Sequence, residues 1–273
     1  MTGDFTVRFW GVRGSTPCSG AETLRYGGNT SCVEMTCGSR RLVFDAGTGL
    51  RQLAAGMKGP QDFDLLFSHF HYDHVIGLPT CGPLYNPGTV CRVWAGRAGT
   101  GAGVREVLSD FMSPPLFPLK LDFFSAAISF HDFHPGETVE LGDGITARTA
   151  PLNHENGATG YRLEFGGRSA CYVTDTEHFE DGLDRTILGL IEGADLFIYD
   201  CTYTDAEYPS YKGWSHSTWQ EGMRLAEAGG VKTFVVFHHD PSHDDDFMDA
   251  VAAEASAARP GTVVARDGMT ISL

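Results

Sequence analysis

The chain has 273 residues, of which 42% are hydrophobic and 20% charged, and its mean hydropathy is −0.15. These values are typical of soluble globular proteins, and no apolar run approaches the ~20 residues that a membrane helix requires. The net charge of −15 argues against an extended nucleic-acid-binding surface, because such surfaces are rich in lysine and arginine. We therefore expect no membrane partner and, since the N-terminus carries no signal-peptide pattern, a cytoplasmic protein.

Cysteine usage and length indicate the compartment and the number of domains. Seven cysteines occur without Cys-x-x-Cys spacing, and this pattern favours reduced thiols over a disulfide framework. The length allows two domains, yet α/β folds of this size often form one. We predict a single domain over residues 1–273.

Hydrophobic patterns divide the chain into a β-rich opening and later segments in which helices and strands alternate. Alternating apolar residues predict an antiparallel meander over Phe5–Trp10, Cys32–Met35 and Arg41–Phe44. Helical spacing predicts helices over Thr100–Met112, Thr218–Ala228 and Asp244–Ala258, and strands are predicted at Thr233–Phe237 and Thr262–Ala265. The segment Cys81–His134, rich in proline, glycine and phenylalanine, is predicted to form a flap or the contact of a homodimer.

The most informative motif follows the apolar run that ends at Ser68. His69, His71, Asp73 and His74 place four metal-binding side chains within six residues. Residues two apart in an extended segment point the same way, so His69 and His71 can bind one cation while the other two bind a second. A polar loop that is merely rich in histidine would add little stability without a cation. The spacing therefore predicts a two-metal site.

Three further candidates each follow a strand-like run, and together they complete two sets of ligands. His154 follows Ile145–Ala150 and can complete the set of His69 and His71. His238 follows Thr233–Phe237 and can complete the set of Asp73 and His74. Asp175 has two oxygens and can bridge both ions. Imidazole and carboxylate ligands suit zinc, and they also admit manganese, iron or nickel.

These motifs resemble the metallo-β-lactamase superfamily over nearly the whole chain. The opening Phe9–Ser15 with Pro17, and then Gly28-Asn29-Thr30-Ser31, resembles its phosphodiesterase branch, which holds the transfer-RNA 3′-processing nuclease and a cyclic-phosphate phosphodiesterase. His216-Ser217-Thr218 matches the His-x-Thr motif of that branch. The resemblance implies an α/β fold, namely a four-layer αββα sandwich with the ligand-bearing loops at one edge of the packed sheets.

The resemblance also implies a mechanism for phosphodiester hydrolysis. A hydroxide between the two ions would attack phosphorus, Asp73 would orient it besides holding a metal, and His216 would protonate the leaving alkoxide. His216 could instead only begin the helix that follows it. Asp45 is the candidate carboxylate behind the ligand histidines, although it could equally cap the glycine-rich turn after it. Asn29 and His178 are further candidates for the pocket.

Several activities would use the same metals. We favour a phosphodiesterase that acts on small cyclic phosphates or cyclic nucleotides. A transfer-RNA 3′-processing nuclease is disfavoured because only 20 residues separate His154 from Asp175, where such nucleases often insert a tRNA-gripping arm. A lactonase or thioesterase is disfavoured by His216, and a metal-dependent sensor without catalysis is disfavoured by the full set of ligands.

Overall fold

A computed structural model describes residues 4–97, 99 and 101–273. Among these residues the strands form two seven-stranded sheets. The first sheet has the order β14-β1-β2-β3-β4-β5-β6, with β1 at Phe5–Gly11, β2 at Cys32–Cys37, β3 at Arg40–Phe44, β4 at Asp62–Phe67, β5 at Val90–Gly96, β6 at Ala127–Phe133 and β14 at Thr270–Ser272. The predicted opening meander is confirmed, because β1, β2 and β3 pair antiparallel in sequence order.

The second sheet is built in the same way as the first. Its order is β13-β12-β11-β10-β9-β8-β7, with β7 at Thr138–Gly142, β8 at Ile145–Leu152, β9 at Ala158–Phe165, β10 at Arg168–Val173, β11 at Leu196–Asp200, β12 at Thr233–Phe237 and β13 at Thr262–Val264. In each sheet an antiparallel meander is followed by parallel strands, β3 to β6 in the first and β10 to β13 in the second. The parallel strands therefore bring several carboxyl ends to one edge.

Helices cover the outer faces of both sheets. In the described part of the chain they are α1 at Gly49–Gly56, α2 at Tyr72–Val75, α3 at Val104–Phe111, α4 at Arg185–Ile191, α5 at Tyr208–Tyr211, α6 at Trp219–Ala228 and α7 at Asp245–Ala258, with short 3-10 turns at Ala21–Thr23, Leu78–Thr80, Gly82–Tyr85 and Leu121–Phe123. The predicted starts of the last two long helices are one residue early, because Thr218 and Asp244 are N-caps whose side chains accept backbone N–H groups. Thr100, the predicted start of α3, lies outside the described residues.

Three apolar clusters separate the four layers. Strand alternation sends Leu196 and Ile198 of β11 into the cluster between the sheets, and Phe197 and Tyr199 into the cluster under α4, α6 and α7. A third cluster lies between the outer face of the first sheet and helices α1 and α3. Burial on both faces explains why the central strands are apolar almost throughout. The predicted αββα sandwich is confirmed.

The segment Cys81–His134 differs from its prediction. It contributes β5 and β6, which extend the first sheet by parallel pairing, and α3, which packs on them. Cys81 and Cys91 are buried in the outer cluster of this sheet. The expectation of a flap is therefore wrong for these elements. No helix among the described residues has both the length and the apolar composition needed to cross a bilayer.

Candidate metal centre

The His/Asp motif lies where β4 ends. β4 stops at Phe67, the chain then runs through His69 and His71, and Asp73 and His74 lie on the single turn of α2. His71 still has an extended backbone, with φ −62° and ψ 157°. The change from extended chain to helix within four residues turns the side chains of the motif toward one side, at the edge where the parallel strands end.

The first cluster contains His69, His71, His154 and Asp175. One nitrogen or oxygen atom from each lies within 4.8 Å of the others. His154 Nε2 lies 3.1 Å from His71 Nδ1, and His69 Nε2 lies 3.6 Å from Asp175 Oδ2. The loop after β8 and the loop after β10 thus bring their side chains to the motif after β4.

The second cluster shares Asp175 with the first and adds Asp73, His74 and His238. All four residues are buried. Asp175 presents Oδ1 to this cluster, 3.2 Å from His74 Nε2 and 3.3 Å from His238 Nε2. Its other oxygen faces His69 in the first cluster. The two oxygens of one carboxylate therefore point at two different groups of donors.

The chemistry of the donors fits divalent cations. The Nε2 atoms of His69, His74 and His238 are buried without a hydrogen-bond partner, and each faces Asp175. Buried nitrogens are ordinarily paired, so three that converge on one carboxylate form a donor set that fits a cation. Burial would raise the pKa of Asp175, but the imidazoles of His238, His74 and His69 outweigh it and hold the pKa well below its ordinary value. The cluster is suited to metal ions.

Asp45 supports the second cluster from behind. It follows β3 with a φ of 59°, and its Oδ2 lies 2.8 Å from His74 Nδ1. The same carboxylate accepts the Ser68 N–H and hydroxyl, both at 2.7 Å, and the Tyr172 hydroxyl at 2.8 Å. A fully hydrogen-bonded carboxylate fixes the orientation of His74, so that Nε2 faces Asp175.

The backbone is strained at several of these positions. The non-glycine residues with a left-handed φ include Ser15, Asp45, Asp175, Ser215 and His238. Each lies at or beside the cluster: the Ser15 N–H, for example, donates to Asp73 Oδ2 at 2.9 Å. Such conformations cost energy and persist where the surroundings hold them, which is common at functional sites.

Two predicted positions and one further histidine lie further out. Asn29 donates to Asp267 at 2.9 Å and accepts from Thr48 at 3.1 Å, so its side chain joins two loops. His178 Nδ1 lies 2.8 Å from the Ser217 hydroxyl, behind His216. His239, which follows the proposed ligand His238, is buried with Nε2 2.9 Å from the Ala265 carbonyl, and burial lowers its pKa to about 3.

His216 lies against both the cluster and a carboxylate that the sequence analysis missed. Its Nδ1 is 2.9 Å from Asp200 Oδ2 and 4.0 Å from Asp175 Oδ2. Burial opposes protonation of His216, but Asp200 outweighs burial and raises the pKa to about 9. Asp200 ends β11, the strand between β10 and β12, and a carboxylate at the tip of an apolar run was the signal that could have identified it.

Comparison with known proteins is consistent with this geometry. Residues 40–239 match the model of the beta-lactamase superfamily domain. Ribonuclease Z of Clostridium perfringens is 25% identical, over 79% of this chain and 84% of the relative, and ribonuclease Z of Gemmatimonas aurantiaca is 23% identical, over 98% and 95%. The second alignment runs over 317 positions although the present chain has 273 residues, so about 50 positions are filled by the relative alone.

Solved structures with the same fold include a diphosphatase of the PhnP family, with a TM-score of 0.70, 20% identity and coverage of 99% of this chain and 97% of that one. The short form of human tRNase Z has a TM-score of 0.68 and 19% identity, with coverage of 97% and 98%. The match of the domain model to most of the chain, with the shared fold, shows that the chain belongs to the metallo-β-lactamase superfamily.

Proposed function

We propose that this metal-dependent hydrolase cleaves small phosphodiesters, with cyclic phosphates and cyclic nucleotides as its substrate class, using two divalent ions. The observation that carries the proposal is the division of the oxygens of Asp175 between two donor groups, with His216 beside them. We further propose that residues 1–273 form one catalytic domain and that the protein is cytoplasmic. Zinc is the proposed native metal, and manganese, iron or nickel also suit imidazole and carboxylate ligands.

The proposed ligand sets follow the two clusters. His69, His71 and His154 would hold one ion, whereas Asp73, His74 and His238 would hold the other. Asp175 would offer one carboxylate oxygen to each. When bound, two such ions supply Lewis acidity toward the phosphoryl oxygens and a hydroxide at neutral pH.

Asp73 has a second role, which is to orient the attacking water. Burial would raise the pKa of Asp73, but the neighbouring His74 outweighs burial and holds the pKa well below its ordinary value. The carboxylate is therefore ionised and able to accept a hydrogen bond from water. Because the Ser15 N–H already fixes Oδ2 at 2.9 Å, the orientation of this carboxylate is set before substrate arrives.

His216 is the proposed general acid. Its Nδ1 is held by Asp200, so Nε2 remains to donate a proton to the departing oxygen. The Asp200 carboxylate favours the protonated imidazole, which is the form that a general acid needs. His216 also lines a cleft of about 250 Å³ with His71 and His154, so the proton donor and two proposed ligands face the same space.

Four observations support a small substrate. The cleft volume of about 250 Å³ suits a single nucleotide or a smaller molecule. The chain between His154 and Asp175 is occupied by the hairpin of β9 and β10, whose strands are joined through Gly166 and Gly167 alone. The chain also lacks about 50 positions that the ribonuclease Z relative fills, and its net charge of −15 is unfavourable for a polyanion.

The second candidate is a tRNA 3′-processing endonuclease, and the name ribonuclease Z of the curated relatives favours it. The two activities are separated by assaying zinc-loaded and manganese-loaded protein against bis(p-nitrophenyl) phosphate, a small cyclic phosphate and a precursor tRNA, with a lactone and a thioester in parallel. We expect metal-dependent hydrolysis of the small diesters and little tRNA cleavage. A His69→Ala preparation controls for contaminating phosphodiesterases. Efficient tRNA cleavage without activity on small diesters would reverse the order of the two candidates.

A further inference from the structure

Trp214 lies at the mouth of the cleft that contains His216, and 64% of its surface is exposed. The same cleft is lined by His71, His154 and Glu155. Leaving an indole in water forgoes the stabilisation that its burial would provide. At this place beside the proposed reacting groups, the exposed indole is available to contact a bound substrate.

The backbone around Trp214 is fixed by one carboxylate. Glu177 Oε1 accepts the Gly213 N–H at 2.7 Å, and its Oε2 accepts the Ser215 N–H at 3.0 Å. The Trp214 N–H donates to the Tyr211 carbonyl at 3.0 Å. His154 Nδ1 lies 3.2 Å from the Ser215 carbonyl, so the segment is tied directly to a proposed metal ligand. The indole is exposed on a preorganised loop.

Aromatic rings connect Trp214 to His216. The indole packs edge-to-face on Tyr211, with centroids 5.6 Å apart, and Tyr211 stacks on Tyr203 at 4.3 Å. Tyr203 in turn lies 6.2 Å from the His216 ring. The rings of Tyr211, Tyr203 and His216 thus support Trp214 from one side, so a planar ligand can approach the exposed surface of the indole.

The cleft lining has few groups that could bind a second phosphate. Among the described residues that line it, none is lysine or arginine, and Glu155 adds a negative charge. A polynucleotide or a substrate with several phosphates would need cations there. A molecule with one phosphodiester and one planar ring needs only the metal cluster and an aromatic surface.

We propose that Trp214 is the stacking platform for the base of a nucleoside cyclic phosphate. This inference rests on the proposed phosphodiesterase function and narrows its substrate class. In the reaction, a water that has released one proton to solvent forms a bond to phosphorus, and one phosphorus–oxygen bond of the cyclic ester breaks with its electron pair left on the ribose oxygen. His216 protonates that oxygen to give a nucleoside monophosphate and regains its proton from solvent. The base lies on Trp214 while the phosphate lies at the metal cluster.

Two substrates with the same five-membered cyclic ester test this inference. Adenosine 2′,3′-cyclic phosphate carries a base, and glycerol 1,2-cyclic phosphate does not. Trp214→Ala should lower the ratio of their kcat/KM values by about 5- to 150-fold, which is the range that base–aromatic stacking contributes. Trp214→Phe, which retains an aromatic ring, should keep most of the ratio. Phe123→Ala, which removes another exposed aromatic residue outside the cleft, should leave it unchanged.

Binding is measured separately by titrating the metal-loaded protein with adenosine 3′-monophosphate. We expect quenching of intrinsic tryptophan fluorescence in the wild type and loss of that quenching in Trp214→Phe. Hydrolysis of both cyclic phosphates with an unchanged ratio in Trp214→Ala, or full quenching in Trp214→Phe, would overturn the platform and leave the phosphodiesterase standing. Failure of the wild type to hydrolyse either cyclic phosphate would overturn the proposed function and this inference with it.

Discussion

The Nδ1 atom of His216 lies 2.9 Å from the Oδ2 atom of Asp200, and both side chains are buried. The same carboxylate accepts the Thr176 N–H at 3.0 Å and the Thr202 hydroxyl at 2.7 Å. These contacts tie Asp200 to the loop after β10 and to the turn that follows β11. The orientation of His216 is therefore set by the backbone that also carries Asp175.

The first prediction concerns Asp200→Asn. Loss of the negative charge removes the main stabilisation of protonated His216, so kcat should fall by about 10- to 100-fold, less than the about 10²–10⁴-fold that loss of a general acid costs. The loss should be larger for an alkyl leaving group than for p-nitrophenolate. Metal content and melting temperature, measured in parallel, should stay near the wild-type values. A uniform loss that follows a loss of metal would identify Asp200 as part of a metal site instead.

His216→Ala is the second prediction. The variant should retain its metal ions, because the seven proposed ligands remain in place. Activity toward a cyclic nucleotide should fall by about 10²–10⁴-fold, since the ribose oxygen needs a proton as it departs. The loss should shrink for bis(p-nitrophenyl) phosphate, because p-nitrophenolate departs without a proton. Equal losses for both substrates, or departure of an ion, would contradict the assignment of His216 as the general acid.

Sequence patterns predicted the part of the site that local spacing controls. The cluster at His69–His74 gave four of the seven proposed ligands, and the ends of three strand-like runs gave the other three. The structure brings all seven together. Thr218 and Asp244 mark helix starts for the same local reason, because a side-chain oxygen can accept a free backbone N–H.

The missed features depend on neighbours that are distant in sequence. Asp200 reaches His216 only because parallel pairing places β11 beside β10 and β12. Glu177 acquires its role from the backbone of residues 36 and 38 positions away. β5 was hidden in a segment dominated by proline and glycine, although its residues alternate between exposed and buried positions. Asn29 donates a hydrogen bond to Asp267, which lies 238 positions later in the chain, in the loop after β13.

The third prediction concerns the carboxylate behind the second cluster. Asp45→Asn removes the anionic partner of His74 Nδ1, so the affinity for the ion that His74 is proposed to hold should fall by about 10- to 100-fold. Competition with a chromophoric chelator measures the two affinities. Tyr172→Phe, which removes one hydroxyl from the same carboxylate, is the matched control and should change affinity less. Equal weakening by both variants would indicate a general loss of packing.

Metal removal gives the fourth prediction. The wild type should bind two ions per chain, and chelation should lower its melting temperature, because free ion at about 1,000 times Kd stabilises a folded protein by about 4 kcal/mol. His71→Ala should lower the metal content. His131→Ala is the control, since His131 stacks on Trp94 outside the cluster. No more than one ion per wild-type chain under saturating metal would contradict the two-ion proposal.

The last prediction concerns stability and pH at Asp267. Burial raises its pKa to about 6, although Asn29 donates hydrogen bonds to it, whereas the ordinary value is 3.8. The folded state therefore binds this proton more tightly than the unfolded state. The resulting stability is fully present below pH 3.8 and is lost as the pH rises through about 6.

An asparagine at this position cannot ionise and still offers an oxygen to Asn29. On changing from pH 4 to pH 7.5, Asp267→Asn should therefore gain about 2 kcal/mol in unfolding free energy relative to the wild type. Urea unfolding at both pH values measures this double difference, in which the other titrating groups cancel. Glu254→Gln, an exposed position on α7, should give a double difference near zero. A relative loss of stability in Asp267→Asn at pH 7.5 would mean that the fold favours the charged carboxylate, because its hydrogen bonds then outweigh the cost of burial.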